Sequence, residues 1–408
     1  MSSTLLPVAD ARARLLRGVI PLGAETVALA EAFGRVLARD LPAMRTQPPE
    51  AVSAMDGYAV RAGDLKDART ELAIIGEIPA GHPFSGTLGS GQAARIFTGG
   101  VVPEGADTVI VQENVTVLDN QRILVNRPEP RGRNIRDAGL DFVAGQTVLK
   151  AGTLLDPGAL CLAAASNHPA LSVVRKPRVA VVATGDELLP PGSEPGPGQI
   201  IASNSYGIGA VASESGAEVI DLGIVSDREV ELGNALDRAA ECGCDILVTL
   251  GGASVGDHDL VRKVFVDRGM KLDFWKIAMR PGKPLMHGRY EAMRVLGLPG
   301  NPVSALVCGL LFLKPLVERL AGRPASEVRA TALLETPLRA NDGREDYMRG
   351  IARRDADGNL KARAFDVQDS SMISAFARSN VLLVRPPRAP AANVGDPVEV
   401  LVIKPGTI

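Results

Sequence analysis

Between residues 178 and 322, short apolar runs alternate with helical patterns, and no other property of the chain restricts its fold as much. Residues 179–183 are apolar without a break, as expected of a strand buried on both faces. Further strands are expected at 218–225, 245–250, 272–277 and 294–298. Helical patterning falls between them, at 203–215 and again after Ser226, which forms a capping-box pattern with Glu229. It returns where Val261, Val264 and Phe265 recur at helical spacing. Such alternation predicts a mostly parallel, doubly wound α/β sheet.

Two of these strands run straight into glycine turns. Ile246-Leu247-Val248 leads to Gly251-Gly252, then to Ser254, Gly256, Asp257 and Asp259. Val295-Leu296 leads to Pro299-Gly300, with Asn301 as a helix N-cap and Pro302 at the first helical position. Glycine lets the backbone approach a bound group, and the free N–H groups of a helix's first turn favour an anion. Two such turns at strand ends of one sheet predict a ligand crevice there. A single strand–glycine–helix junction would carry little weight, because many α/β proteins have one with no ligand.

The rest of the 408 residues divides around this core. A helix is expected over 7–20 and a second over 29–38, followed by a proline-rich stretch from Pro42. Short β-type runs follow at 58–60, 72–75, 93–97, 108–111, 115–118 and 123–125, with Asp119-Asn120 as a hairpin turn. Helical patterning returns over 143–165. After Pro324 the runs 328–334, 347–352, 362–365, 381–384 and 398–403 read as β again, separated by Asn341-Asp342-Gly343 and Asp357-Gly358-Asn359 turns. The expected class is therefore multidomain α/β plus β. Its parts are a discontinuous helical domain (1–45 and 139–177), an inserted β-rich domain (46–138), the α/β domain (178–325) and a C-terminal β domain (326–408).

A formal net charge of -2 argues against a general nucleic-acid binder. Cys161, Cys242, Cys244 and Cys308 form no CxxC pair, so zinc and a disulfide framework are not expected. Reduced thiols and the lack of a signal-peptide pattern give the expectation of a cytoplasmic protein. The apolar stretch 303–320 contains Lys314, Pro315, Glu318 and Arg319, so no membrane span is expected.

Carboxylates fall at strand ends of the α/β part: Asp186 and Glu187, then Asp227, then Asp257 and Asp259. Hard oxygen donors of this kind suit Mg²⁺ shared with phosphate oxygens. For Asp227, at a helix's first turn, a cap is an equal reading. Lys276, Arg280 and Lys283 crowd one stretch stiffened by Pro281 and Pro284, with Gly282 allowing a tight turn; this predicts an oxyanion site rather than a plain basic loop. Asp56 and Asp141 read from the sequence only as turn residues, Ser371 as part of a polar turn, and His258 as a solvent-facing residue.

Taken in order, S-A-M-D-G-Y-A-V, T-G-D-E-L, G-G-A-S-V-G-D, P-G-K-P and L-P-G-N-P-V-S span nearly the whole chain. In these motifs the chain resembles the molybdopterin molybdenumtransferases and the C-terminal domain of gephyrin. The resemblance implies the four domains above, the last a β barrel. It also implies a homodimer whose active sites combine the α/β domain of one subunit with the inserted β domain of the other. The implied reaction consumes adenylylated molybdopterin and molybdate, releases AMP and inserts molybdenum at the dithiolene. Asp56, Asp141, Asp186, Glu187, Asp227 and Asp259 match the family's acidic positions, with Mg²⁺ on Asp186, Glu187 and Asp227. Thr184, Gly185, Gly251, Gly252, Ser254, Gly256, Asp257, Lys276 and Pro299 to Pro302 match its nucleotide and pterin contacts. Arg280, Lys283, Arg349 and Ser371 match its molybdate cluster. Family members commonly carry lysine where Arg280 stands, and serine and valine where Leu250 and Ala253 stand. The molybdopterin adenylyltransferase is the implied delivering partner. Two other classes stay open: a scaffolding use of the same dimer, against which the intact carboxylates speak, and adenylyl transfer itself, against which the extra β domains and Asp56 speak.

Overall fold

The computed structural model describes residues 5–66, 69–251, 260–404 and 406–408. The chain forms two compact units. One comprises Met1–Glu25, Gly34–Val36 and Val173–Ile408, the other Thr26–Phe33 and Leu37–Ser172.

In the first unit the alternating segment folds into six strands: β1 (Arg178–Thr184), β2 (Glu218–Val225), β3 (Ile246–Leu250), β4 (Lys271–Trp275), β5 (Met286–Tyr290) and β6 (Met293–Leu298). Their order is β2-β1-β3-β6-β5-β4. The first four in that order are parallel; β5 runs antiparallel to β6, and β4 antiparallel to β5. Successive side chains of a strand face opposite sides, and here both sides are covered. Val179 and Val181 of β1 pack with Leu15 of the helix Val8–Leu16, Ile208 of Asn204–Glu214 and Val303 of Pro302–Cys308. Ala180 and Val182 pack instead with Leu232 of Glu229–Glu241 and Phe265 of Leu260–Asp267. Fully buried Val or Leu side chains contribute about 1.5–3 kcal/mol each, which is why these runs tolerate no polar interruption. The capping box expected at Ser226 and Glu229 does not form. The helix starts after Arg228, without a side-chain cap, and Ser226 Oγ accepts from Arg228 Nε at 2.9 Å instead.

The C-terminal strands are β7 (Val328–Leu334), β8 (Glu345–Arg354), β9 (Leu360–Ala364), β10 (Val381–Arg385) and β11 (Pro397–Val402). They pair in the order β8-β9-β7-β11-β10, and β10 pairs back onto β8, closing a five-stranded barrel. Small interior residues such as Ala332, Ala352 and Ala362 fit so narrow a lumen. Of particular use to the site, the short strand Met279–Arg280 runs parallel to the start of β8, with Arg280 opposite Asp346. That pairing brings the cationic loop to the barrel.

In the second unit all six expected β runs form one sheet. Its order is Thr108–Val111, Gly57–Val60, Gln92–Ile96, Thr70–Ile78, Arg122–Val125, Val115–Asp119. The helix expected over 29–38 is absent. Only a 3₁₀ turn, Leu29–Glu31, remains, and Gly34 at φ +71° breaks any continuation. Leu37 N–H bonds Thr153 O at 2.9 Å rather than a carbonyl one helical turn back. Within 143–165 only Pro157–Ala165 is helical, with Asp156 capping Ala159 N at 2.8 Å and Pro at its start. Gly145 and Gly152, both at positive φ, hold the preceding segment out of a helix. Among the described residues, no helix is long and apolar enough to cross a membrane.

Candidate functional site

The carboxyl ends of β1, β3 and β6 stop level with one another, because Ala183 pairs with Leu250 and Leu250 with Leu298. The turns that follow are therefore neighbours. Gly251 N–H donates to Leu298 O at 3.2 Å, and a Cβ built on Gly251, at φ +103°, would lie 2.5 Å from Thr184 O. Only glycine fits there. Thr184 Oγ1 is buried and has no hydrogen-bond partner among the described residues. Asn204 Nδ2 donates to Gly300 O at 2.6 Å and steadies the second turn. Gly252, Ser254, Gly256, Asp257, His258 and Asp259 lie outside the described residues.

Beyond these turns opens a cavity of about 910 Å³ within the first unit. One wall is acidic. Glu187 and Asp227 line it, and the exposed Asp186 adjoins them, its Oδ1 accepting from Asp227 N–H at 3.2 Å. Partial burial raises the Asp227 carboxyl above its ordinary pKa, and the negative charges of Asp186 and Glu187 push it the same way. Among the described residues no group of three His, Cys, Asp or Glu side chains is spaced to hold a metal ion. Mg²⁺ commonly takes only one or two carboxylates, its other ligands being water and substrate oxygens, so this donor set is of a suitable kind.

The opposite wall is cationic and comes from two elements. Arg280, Lys283 and the turn between them supply one; Gly282, at φ +107°, is packed so tightly that a Cβ would meet Cys308 Sγ at 2.6 Å. Arg280 Nη2 bonds the buried Asp346 and reaches Asn341 Oδ1 at 3.3 Å, and Nη1 stands 3.5 Å from Asp342 Oδ2. The Asp346 bond raises the guanidinium's pKa above the usual arginine value. Lys283 is half-buried and has no ion-pair partner among the described residues. The barrel supplies Arg344, Gln368, Ser370 and Ser371. Ser371 N and Oγ both donate to Asp369 Oδ1, at 2.8 and 2.6 Å, which holds that carboxyl below its ordinary value. Asn301 Nδ2 donates to Ser370 Oγ at 2.7 Å, tying the second glycine turn to the barrel loop.

Of the residues expected from the sequence, Thr184, Glu187, Asp227, Gly251, Arg280, Lys283, Pro299, Gly300, Asn301, Pro302 and Ser371 line this cavity. Gly185 and Asp186 adjoin it. Lys276 does not line it: at φ +69° its Nζ turns onto the Trp275 ring, 3.6 Å from the centroid, so two loop cations rather than three face the cavity. Arg349 lies one layer behind the wall, fully buried, and its backbone exchanges hydrogen bonds of 2.9 Å with the side chain of Gln368. Asp56 and Asp141 belong to the second unit. There Asp56 Oδ1 accepts from Thr98 N and Oγ1 at 2.7 and 2.8 Å, and these bonds, the backbone one first, lower its pKa. Asp141 is exposed, and its N–H donates to Gln47 O at 3.0 Å. Sequence reasoning missed Asn204, Arg344 and Gln368, and read Ser370, with Ser371, as a polar turn alone. The one available signal was the Asn341–Asp342–Gly343 turn, which reads as a hairpin and nothing more.

Family models for the MoeA N-terminal region (domain I and II), for a probable molybdopterin binding domain and for the MoeA C-terminal region (domain IV) match residues 6–166, 180–319 and 331–403. A molybdopterin molybdenumtransferase of Haemophilus influenzae is 35% identical over 97% of this chain and 98% of its own length. One of Bacillus subtilis is 33% identical over 98% and 95%. The crystal structure of a molybdopterin biosynthesis MoeA protein from Pyrococcus horikoshii superposes with a TM-score of 0.84 at 30% identity, covering 98% of this chain and 100% of that one.

Proposed function

From the premise that this chain belongs to the molybdopterin molybdenumtransferase (MoeA) family and serves molybdenum cofactor biosynthesis, we propose that it consumes adenylylated molybdopterin and molybdate and releases AMP. One observation carries the reading: a single cavity has carboxylates on one wall and Arg280, Lys283 and Arg344 on the other, with glycine turns between. A nucleotide–pterin diphosphate and a tetrahedral dianion need such a divided site. The turns at Gly251 and Pro299-Gly300 let the substrate's phosphates approach the backbone. Lys283 contributes a point charge to the oxyanion and Arg280 a held fork, while the Ser371 hydroxyl, on the barrel side, would donate to the oxyanion by exchanging its bond to Asp369 Oδ1. One or two of Asp186, Glu187 and Asp227 would hold Mg²⁺, with water and substrate oxygens as its other ligands, and the ion would supply polarisation of the phosphoanhydride when bound. Hydrolysis of that bond frees AMP and leaves the dithiolene to receive molybdenum.

The test is AMP release from adenylylated molybdopterin with and without molybdate. Release that depends on molybdate is expected; no release under either condition overturns the reading. Formation of the adenylylated species from ATP and molybdopterin would instead favour adenylyl transfer.

The working unit is a cytoplasmic homodimer in this proposal, fed by the molybdopterin adenylyltransferase, with Asp56 and Asp141 of one subunit serving the acidic site of the other. Its support is the family membership together with the position of these two residues in a unit apart from the other carboxylates. Mixing inactive Asp56→Ala and Asp259→Ala chains should restore part of the activity, since some mixed dimers regain one intact site. Verified subunit exchange with no recovery would rule the arrangement out.

A further inference from the structure

We propose that Asp342 is an internal counter-ion that occupies the cationic wall when the cavity is empty and so limits how tightly that wall takes any tetrahedral dianion. The inference rests on the molybdate reading of this wall. Asp342 lies in a turn that is pinned from several sides. Asn341 Nδ2 donates to the carbonyls of Arg344, Arg385 and Pro386 at 2.7, 3.0 and 2.9 Å, and Arg388 N–H donates to Asp342 O at 2.6 Å. The Asp342 carboxylate is thereby delivered to two cations of the wall. Its Oδ1 accepts from Arg344 N at 2.9 Å, and its Oδ2 accepts from Arg344 Nη2 at 2.8 Å while standing 3.5 Å from Arg280 Nη1.

Charge counting gives the consequence. Arg280, Lys283 and Arg344 bring three positive charges and their ion-pair partners Asp342 and Asp346 answer two of them, while Arg349 behind the wall and Asp369 beside Ser371 offset each other. The wall then offers one net positive charge to an ion that carries two negative ones. The two carboxylates are not equivalent. Asp346 is buried at the strand pairing that joins Met279–Arg280 to the barrel, and its bond to Arg280 belongs to the fold. Asp342 is 45% exposed at the side chain and can turn to water. An entering dianion must compete with it for Arg344 and for one edge of Arg280. This penalty falls on every dianion alike. An ion overcomes it only through further contacts, such as one with Lys283.

The experiment is direct binding of sodium molybdate and sodium sulfate by equilibrium dialysis at fixed ionic strength, using the full chain. Asp342→Asn keeps the shape and the N–H acceptor and removes the charge. It is expected to tighten both anions by about tenfold, as loss of one adjacent like charge in a partly screened site should, and to make sulfate an inhibitor of AMP release. Asp342→Ser, which also removes the charge, is expected to tighten both anions likewise, and keeps the counter-ion role testable if Asp342→Asn folds poorly. Lys283→Ala tests the site itself. If Lys283→Ala weakens molybdate while Asp342→Asn binds both anions no better than the parent, the counter-ion role is wrong and the site stands. If Lys283→Ala leaves molybdate binding unchanged, the molybdate reading of this wall fails, and the counter-ion role fails with it.

Discussion

An Asp186→Ala/Glu187→Ala double variant should lose molybdate-dependent AMP release by on the order of 10³-fold and remain folded. Both side chains are exposed at the end of β1, so their removal opens no cavity in the sheet. What they do instead is crowd negative charge beside Asp227, whose carboxyl is held above its ordinary pKa by burial and by these two neighbours. A carboxylate arrangement that repels itself costs stability unless a cation or a proton relieves it. If the cation is Mg²⁺, complete chelation should silence the parent enzyme, and added Mg²⁺ should restore it but not the double variant. A melting curve on each protein separates loss of chemistry from loss of fold. Turnover that survives chelation, or a double variant as active as the parent, would remove metal and carboxylates alike from the proposed mechanism.

Asp186 and Glu187 could be read from the sequence because they follow β1, whose apolar run is unmistakable, whereas Asp227 follows the edge strand β2, which Glu218 and Asp221 interrupt. A parallel strand buried on both faces must be continuous in Val, Ile, Leu and Ala, and the sheet then fixes where the next residues point. The same logic placed Gly251 beside Pro299-Gly300, since β3 and β6 are adjacent. Pattern reasoning failed where local preference was overridden. Residues 29–38 have a helical composition, yet Gly34 takes a left-handed φ and Leu37 bonds to Thr153, far along the chain. Lys276 failed for a related reason. Its place in the cationic stretch was plain, but spacing says nothing of direction, and a positive φ turns it onto Trp275. The barrel's share of the site was the least visible. Arg344 and Gln368 reach the cavity only because Met279–Arg280 joins β8 as an extra strand, and a two-residue strand leaves no periodicity to detect.

Arg349→Met should raise the molybdate needed for half-maximal AMP release by about ten- to a hundredfold while leaving thermal stability equal to the parent's or higher. Arg349 is fully buried, yet among the described residues Nε and Nη1 have no partner and Nη2 reaches only Val367 O, at 3.5 Å. Burial accordingly pushes its pKa down, with the more distant Asp346 and Asp369 opposing. No carboxylate lies within ion-pair distance of it among the described residues. A buried cation in this condition weakens a fold, each unsatisfied donor costing about 1–3 kcal/mol, and an apolar side chain of similar volume is often neutral or stabilising in its place. Methionine is long, unbranched and adaptable enough to fill the space. Gln368 would stay where it is, because its bonds are to the Arg349 backbone and to Phe365 O. The charge is therefore the part the fold does not require, and a dianion on the far side of Gln368 is the partner that would justify keeping it. Two measurements decide the matter. Molybdate should raise the melting temperature of the parent, as any ligand of the native state does, and should do so much less for Arg349→Met. A molybdate titration at fixed adenylylated substrate should show the raised requirement with substrate binding little changed. A variant that melts well below the parent would make Arg349 a structural residue, and one that keeps the parent's molybdate dependence would take Arg349 out of the oxyanion site.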